Sequence, residues 1–204
     1  MSSWVRQDLY RLSALDASSA GASGRKRIFY PGGGVFEGDL SDGYWHGAGK
    51  LRFDSGEIYV GSFRNERMHG KGKFVDTQGN AFEGRFVDGI PHGEGQHIFE
   101  NGELYHGGYE RGVFHGTGSY SWPDGRRYMG DFRQGKIHGR GRFTYKNGDY
   151  YDGGWDQEEM HGQGIKVPPP ASQLPPTSFA TPSTHLMSQL VNTHLFNTSC
   201  VKAR

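Results

Sequence analysis

An aromatic residue followed two positions later by glycine recurs at Phe36, Tyr59, Phe82, Tyr105, Tyr128 and Tyr151, each 23 residues after the last. Nothing else constrains the fold so tightly, because self-similarity at a short fixed period means one small unit stacked on copies of itself. Ten residues into every unit come histidine, glycine, one further residue and glycine again, at His46, His69, His92, His115, His138 and His161. A turn glycine closes five units, at Gly56, Gly79, Gly102, Gly125 and Gly148, whereas the sixth runs into Pro168, Pro169 and Pro170. Upstream, Ile28, Tyr30 and Gly33 match the second half of a unit, so the array opens with half a repeat.

Within a unit the period is two, as in Tyr128-x-Gly130-x-Phe132 and again in Gly139-x-Gly141-x-Phe143-x-Tyr145, which is the signature of a strand. Each unit therefore reads as two short strands and two turns, too short for a parallel crossover. The expected fold is all-β, an elongated single-sheet antiparallel meander of tandem hairpins with short terminal tails that could be helical. Let the first aromatic of a unit be position 0. Pairing position 2 with position 13 sets glycine against glycine, position 0 against position 15, and position 4 against the glycine at 11. Rings on one face then lie over glycine backbone. On the other face positions 3 and 12 become neighbours, Asp131 with Arg140 and Arg85 with Glu94, and Glu37 meets Lys50.

Composition agrees with a thin structure, since 34 glycines against 33% hydrophobic residues leave little for a layered core. A formal net charge of +1 provides no single-sign field to recruit nucleic acid. The lone Cys200 rules out an intrachain disulfide or a cysteine-built zinc site and fits a reducing, cytoplasmic compartment. Three segments are expected. Residues 1–26 form a docking segment, with Trp4, Leu9 and Leu12 at helical spacing, and a flexible joint; residues 27–167 form the array; residues 168–204 form a Pro/Ser/Thr-rich linker and an amphipathic stretch carrying Leu186, Leu190 and Leu195.

The unit as a whole, aromatic-x-Gly-x-aromatic followed by His-Gly-x-Gly and a glycine turn, resembles the MORN repeat family over residues 36 to about 167, and to about 27 with the half repeat. The resemblance implies a twisted rod with an aromatic-lined groove, and roles in membrane-junction tethering or in cytoskeletal, radial-spoke and other axonemal assemblies of cilia and flagella. The partners it implies are other proteins of a large assembly; the open sheet edge at either end of the array would also suit a second copy, as a homodimer, or a heteromeric MORN neighbour.

The site readings follow from geometry. Equivalent histidines lie two strands apart, about 10 Å, too far to share a zinc ion with ligands at about 2 Å. The six, His46, His69, His92, His115, His138 and His161, are read as structural, each bonding local backbone at a hairpin end. Cys200 has no base placed to activate it, Glu158 and Glu159 sit together on a turn, and Gly32 to Gly34 lack the helix of a phosphate loop. No enzyme activity, cofactor or metal is expected. Phospholipid is the main alternative ligand, since Arg25 to Arg27 cluster before the array, although acids interleave the basic residues elsewhere. The candidate protein-binding groove is lined by Phe36, Tyr59, Phe63, Phe82, Phe86, Tyr105, Tyr109, Tyr128, Phe132, Tyr151 and Trp155. A second reading stands beside it: the same rings only cover glycine, and partners use the other face or the open edges.

Overall fold

The computed structural model describes Gly21, residues 23–169 and the segment Thr198–Lys202. All regular structure there is β. The strands are β1 (Gly24–Phe29), β2 (Val35–Ser41), β3 (Tyr44–Arg52), β4 (Ile58–Arg64), β5 (Arg67–Val75), β6 (Ala81–Val87) and β7 (Ile90–Ile98), then β8 (Leu104–Glu110), β9 (Val113–Ser121), β10 (Arg127–Arg133), β11 (Lys136–Thr144), β12 (Tyr150–Asp156) and β13 (Glu159–Val167). β14 (Thr198–Lys202) pairs antiparallel with β13, and the sheet order is the chain order throughout. The first strand begins inside the segment read as a joint, because Gly24 pairs with Leu40.

The glycine register is as expected in every unit: Gly38 faces Gly49, Gly61 faces Gly72, Gly84 faces Gly95, Gly107 faces Gly118, Gly130 faces Gly141 and Gly153 faces Gly164. Position 0 faces position 15, as in Tyr59 with Phe74 and Tyr128 with Phe143. Beyond the glycines the expected ladder breaks. Each hairpin slips there, so that position 4 meets position 9, Phe63 with Met68 and Phe132 with Ile137. The cause is the glycine of each His-Gly pair, which sits at φ between 67° and 76° in all six units, from Gly139 to Gly93. A left-handed residue in one strand makes a bulge that bends the hairpin. The glycine at 11 is not wasted: it pairs with position 4 of the next unit, Gly47 with Phe63 and Gly70 with Phe86.

The bulge also removes the 3-to-12 pairing. The Asp131 carboxylate accepts the Arg140 backbone N–H at 2.9 Å rather than facing its guanidinium as a ladder partner. Glu37 does face Lys50.

Each hairpin closes on two successive positive-φ residues, such as Asp42 (52°) with Gly43 (87°), the signature of a type I′ turn. The second turn residue donates its N–H back to position 9 of the preceding hairpin, Gly89 to the Met68 carbonyl at 2.8 Å and Gly135 to the Phe114 carbonyl at 2.9 Å. Consecutive units are thus tied at the tips as well as along the strands.

Candidate protein-interaction surface

The sheet presents two unlike faces. On the first lie all eleven rings of the candidate groove, and none is more than 6% exposed. Position 4 of each unit wedges between the position-0 rings on either side. Phe63 stands edge-on to Phe36 at 5.2 Å and to Tyr59 at 5.0 Å, Phe86 edge-on to Tyr59 at 5.1 Å, and Trp155 edge-on to Tyr128 at 5.5 Å. Edge-to-face contacts at this spacing are the favourable geometry of the ring quadrupole. Beneath them lies glycine: a Cβ on Gly84 would stand 2.7 Å from Phe82 Cζ and 2.7 Å from Gly95 Cα. The rings therefore form the core, and a partner could not line up along them without opening it. Of the two uses read from the sequence, the structure places these residues in the glycine-covering one.

Where position 0 is tyrosine, its hydroxyl donates to the position-3 carbonyl that the bulge has freed from the ladder: Tyr59 to Ser62 at 2.9 Å, Tyr105 to Gly108 at 2.8 Å and Tyr128 to Asp131 at 3.0 Å. Burial raises the pKa of these phenols well above the ordinary value, so the face stays uncharged.

The histidines act between units. His69 Nδ1 lies 3.5 Å from both the backbone N and a carboxylate oxygen of Asp88, and His138 Nδ1 lies 3.2 Å from Asp156 Oδ1, in each case on the following hairpin. His115 instead meets Glu110 of its own hairpin at 3.4 Å. Among the described residues no cluster of three His, Cys, Asp or Glu could hold a metal ion. The terminal docking residues Trp4, Leu9, Leu12, Leu186, Leu190 and Leu195 lie outside the described residues.

The second face is open. Positions 1, 3, 12 and 14 stand up from it as rows, and between them runs a groove whose floor is glycine backbone. Its main chamber, about 790 Å³, spans β4 to β8 with Lys71, Lys73, Glu83, Arg85 and Glu94 on its sides and Gly61, Gly72, Gly84 and Gly95 below. A second chamber of about 560 Å³, bordered by Arg25, Glu37 and Lys50, shares Val60 and Gly61 with the first. Lys71 lies directly opposite Arg85 in the ladder, two like charges side by side. Arg85 and Glu94 were expected on this face, but the groove they border with Lys71, Lys73 and Glu83 was not. Their signal was the alternation itself, since every residue between two core positions must point to this face.

The profile described as MORN repeat matches residues 36–58, 59–81, 82–103, 105–126, 128–150 and 151–167. No curated protein matches the chain significantly. Among solved structures, the SAS-4 (dCPAP) TCP domain of Drosophila melanogaster, in complex with a proline-rich motif of Ana2 (dSTIL), is similar at 17% identity and a TM-score of 0.45, over 72% of this chain and 80% of that one. The wild-type TCP10 domain of Danio rerio CPAP, in complex with a peptide of Danio rerio STIL, is similar at 16% identity and a TM-score of 0.27, over 72% of this chain and 80% of that one.

Proposed function

This chain belongs to the MORN repeat family, and from that premise we propose that it is a non-enzymatic scaffold that binds other proteins within a cytoskeletal assembly. The observation that carries this reading is the groove on the open face, about 790 Å³ in its main chamber, floored by backbone and walled by mixed charge. Such a surface offers an extended segment of a partner charge pairing along its walls and close approach over the glycine floor. The thirteen strands of the array, at about 4.8 Å each, make a rod of about 60 Å, long enough to bridge subunits. The ciliary or flagellar axoneme, in a radial-spoke-like position, is the setting proposed for it.

The experiment is localisation of the tagged protein in a ciliated or flagellated cell before and after detergent extraction. Signal retained along the extracted axoneme supports the reading. Signal that leaves with the membrane rejects it and favours the second reading, a membrane-proximal tether for phospholipid or a membrane protein. One observation favours that alternative: strands β1 to β3 carry Arg25, Lys26, Arg27, Lys50 and Arg52 against only Glu37 and Asp39. Charge reversal at Arg25 to Arg27 would then abolish liposome binding.

A further inference from the structure

Two strands end the array, and they differ. β13 has a neighbour in β14. β1 is the terminal strand of the sheet, and among the described residues nothing pairs with its outer edge. Tyr30 donates its N–H to the Gly34 carbonyl at 2.9 Å, so residue 30 faces β2. Antiparallel ladders alternate, so the N–H and C=O groups of Arg25, Arg27 and Phe29 point away from β2, to the open edge. Their side chains share one face, with Phe29 left 69% exposed. An edge of this kind is a template for another strand.

From the charge on that edge we infer that β1 accepts an extended acidic segment of a partner protein as an added antiparallel strand. β2 displays the sequence that suits it. Along β2 the chain reads Val35-x-Glu37-x-Asp39, which places valine opposite Phe29, glutamate opposite Arg27 and aspartate opposite Arg25. The outer edge offers the same row of side chains, so its occupant follows the same pattern: an apolar residue, then an acid two residues on, then another acid two further on. Opposite charges directly across a ladder are favourable and like charges are not.

That rule also separates the partner from a second copy of this chain. The two self-pairing registers that overlap nearly all of β1 set Arg27 against Arg27, or set Lys26 against Lys26 with Arg25 against Arg27. The basic run therefore discourages self-association while it attracts an acidic strand. The edge lies at the end of the rod, away from the main chamber of the groove, whose lining begins at Val60. The inference rests on the scaffold reading only in requiring a protein partner.

The test uses the full chain and a labelled, end-blocked peptide of sequence Val-Thr-Glu-Thr-Asp-Leu-Thr, with its two acids changed to lysine as the control, followed by fluorescence anisotropy. The acidic peptide binds and the lysine control does not. Charge reversal by Arg25→Glu with Arg27→Glu weakens binding about tenfold or more, as expected when two favourable cross-strand pairs turn unfavourable. Arg27→Pro weakens it as well, because it removes an outward N–H while leaving the bonds to β2 intact. Lys71→Glu with Arg85→Glu, in the groove, leaves peptide binding unchanged, so failure of the groove and failure of the edge are read separately. Thermal melts confirm that each variant is folded. No binding of the acidic peptide overturns the inference. So does loss on charge reversal with none in the proline variant, or displacement of the peptide by phosphatidylserine vesicles that the proline variant still binds, either of which marks a charge patch and no strand acceptor. A concentration-dependent dimer lost in Arg27→Pro would assign the edge to a second copy instead.

Discussion

The two faces of this sheet are made by the same strands and share the same backbone, yet one is closed and the other open. On the closed face Tyr59, Tyr105, Tyr128, Phe36, Phe82 and Phe86 are fully buried, against one another and against glycine. On the open face Lys71, Lys73, Glu83 and Arg85 are all exposed. A single-layer sheet has no second layer to cover its apolar side, so its own rings cover one another and the glycine between them. The left-handed glycine at position 11 lets position 4 of each unit meet the rings of its neighbours, and the groove on the other side lies between rows of side chains over the same glycines. Stability is thus expected to reside in one face and recognition in the other.

Removing a ring gives the strongest check. Phe86 touches Tyr59 and Phe82 at 5.1 Å each, linking two units. Phe86→Ala should cost about 3–5 kcal/mol in chemical denaturation and lower the cooperativity between the halves it joins. Next comes the glycine under the rings. Gly84→Ala places a Cβ 2.7 Å from both Phe82 Cζ and Gly95 Cα, where backbone cannot yield easily. A loss of about 1–3 kcal/mol is expected. If either change left the melting curve unmoved, the closed face would not be the source of stability.

Finer contrasts lie among the tyrosines. Tyr128→Phe removes the bond to the Asp131 carbonyl and should cost about 1 kcal/mol. Tyr109 has a buried hydroxyl with no hydrogen-bond partner. Tyr109→Phe should therefore be neutral or stabilising, opposite in sign, since it no longer buries an unsatisfied polar group. Equal losses from the two would mean that the freed position-3 carbonyl is not what selects tyrosine at position 0.

Much of this was legible in the sequence, for definite reasons. The 23-residue period located the hairpins, and glycine at positions 2 and 13 set the register, because no other residue fits where Phe82 presses on Gly84 and Gly95. The bulge was not read correctly. The His-Gly row was visible, but a glycine signals positive φ without saying whether the chain turns or bulges there. Asp42-Gly43 forms a hairpin tip, as Asp-Gly suits, whereas the turn glycines Gly125 and Gly148 lie between units. The closure of the aromatic face depends on rings of one unit packing on those of the next, and the groove of Lys71, Lys73, Glu83, Arg85 and Glu94 spans several units. No single unit encodes that visibly.

His97 tests the boundary between the faces by pH. It takes position 15, where other units carry Phe74 or Phe143, and stacks on Phe99 at 4.2 Å with planes 4° apart. Burial lowers its pKa from the ordinary value, with the Asp76 charge opposing more weakly. The unfolded chain therefore takes up this proton at higher pH than the folded one. Stability from this residue is fully present above about pH 6.5 and falls as the pH drops from there toward the folded-state pKa. His97→Phe should remove that part of the pH dependence.

The smallest effect on stability should come from the open face, and it is the one that decides the division of labour. Lys71→Glu separates the like-charged pair Lys71 and Arg85, and places a carboxylate opposite the guanidinium. Both groups are exposed, so the change in unfolding free energy should stay within about 0.5 kcal/mol. Partner binding responds differently. The substitution reverses one wall of the main chamber, where Glu83 and Glu94 already stand, and should weaken retention on the cytoskeletal assembly in the extraction assay. A variant that melts like the parent chain but no longer stays bound separates holding the fold from holding the partner. If it stayed bound, the groove would be only the outside of a bent sheet, and the search for the binding surface would move to the β1 edge.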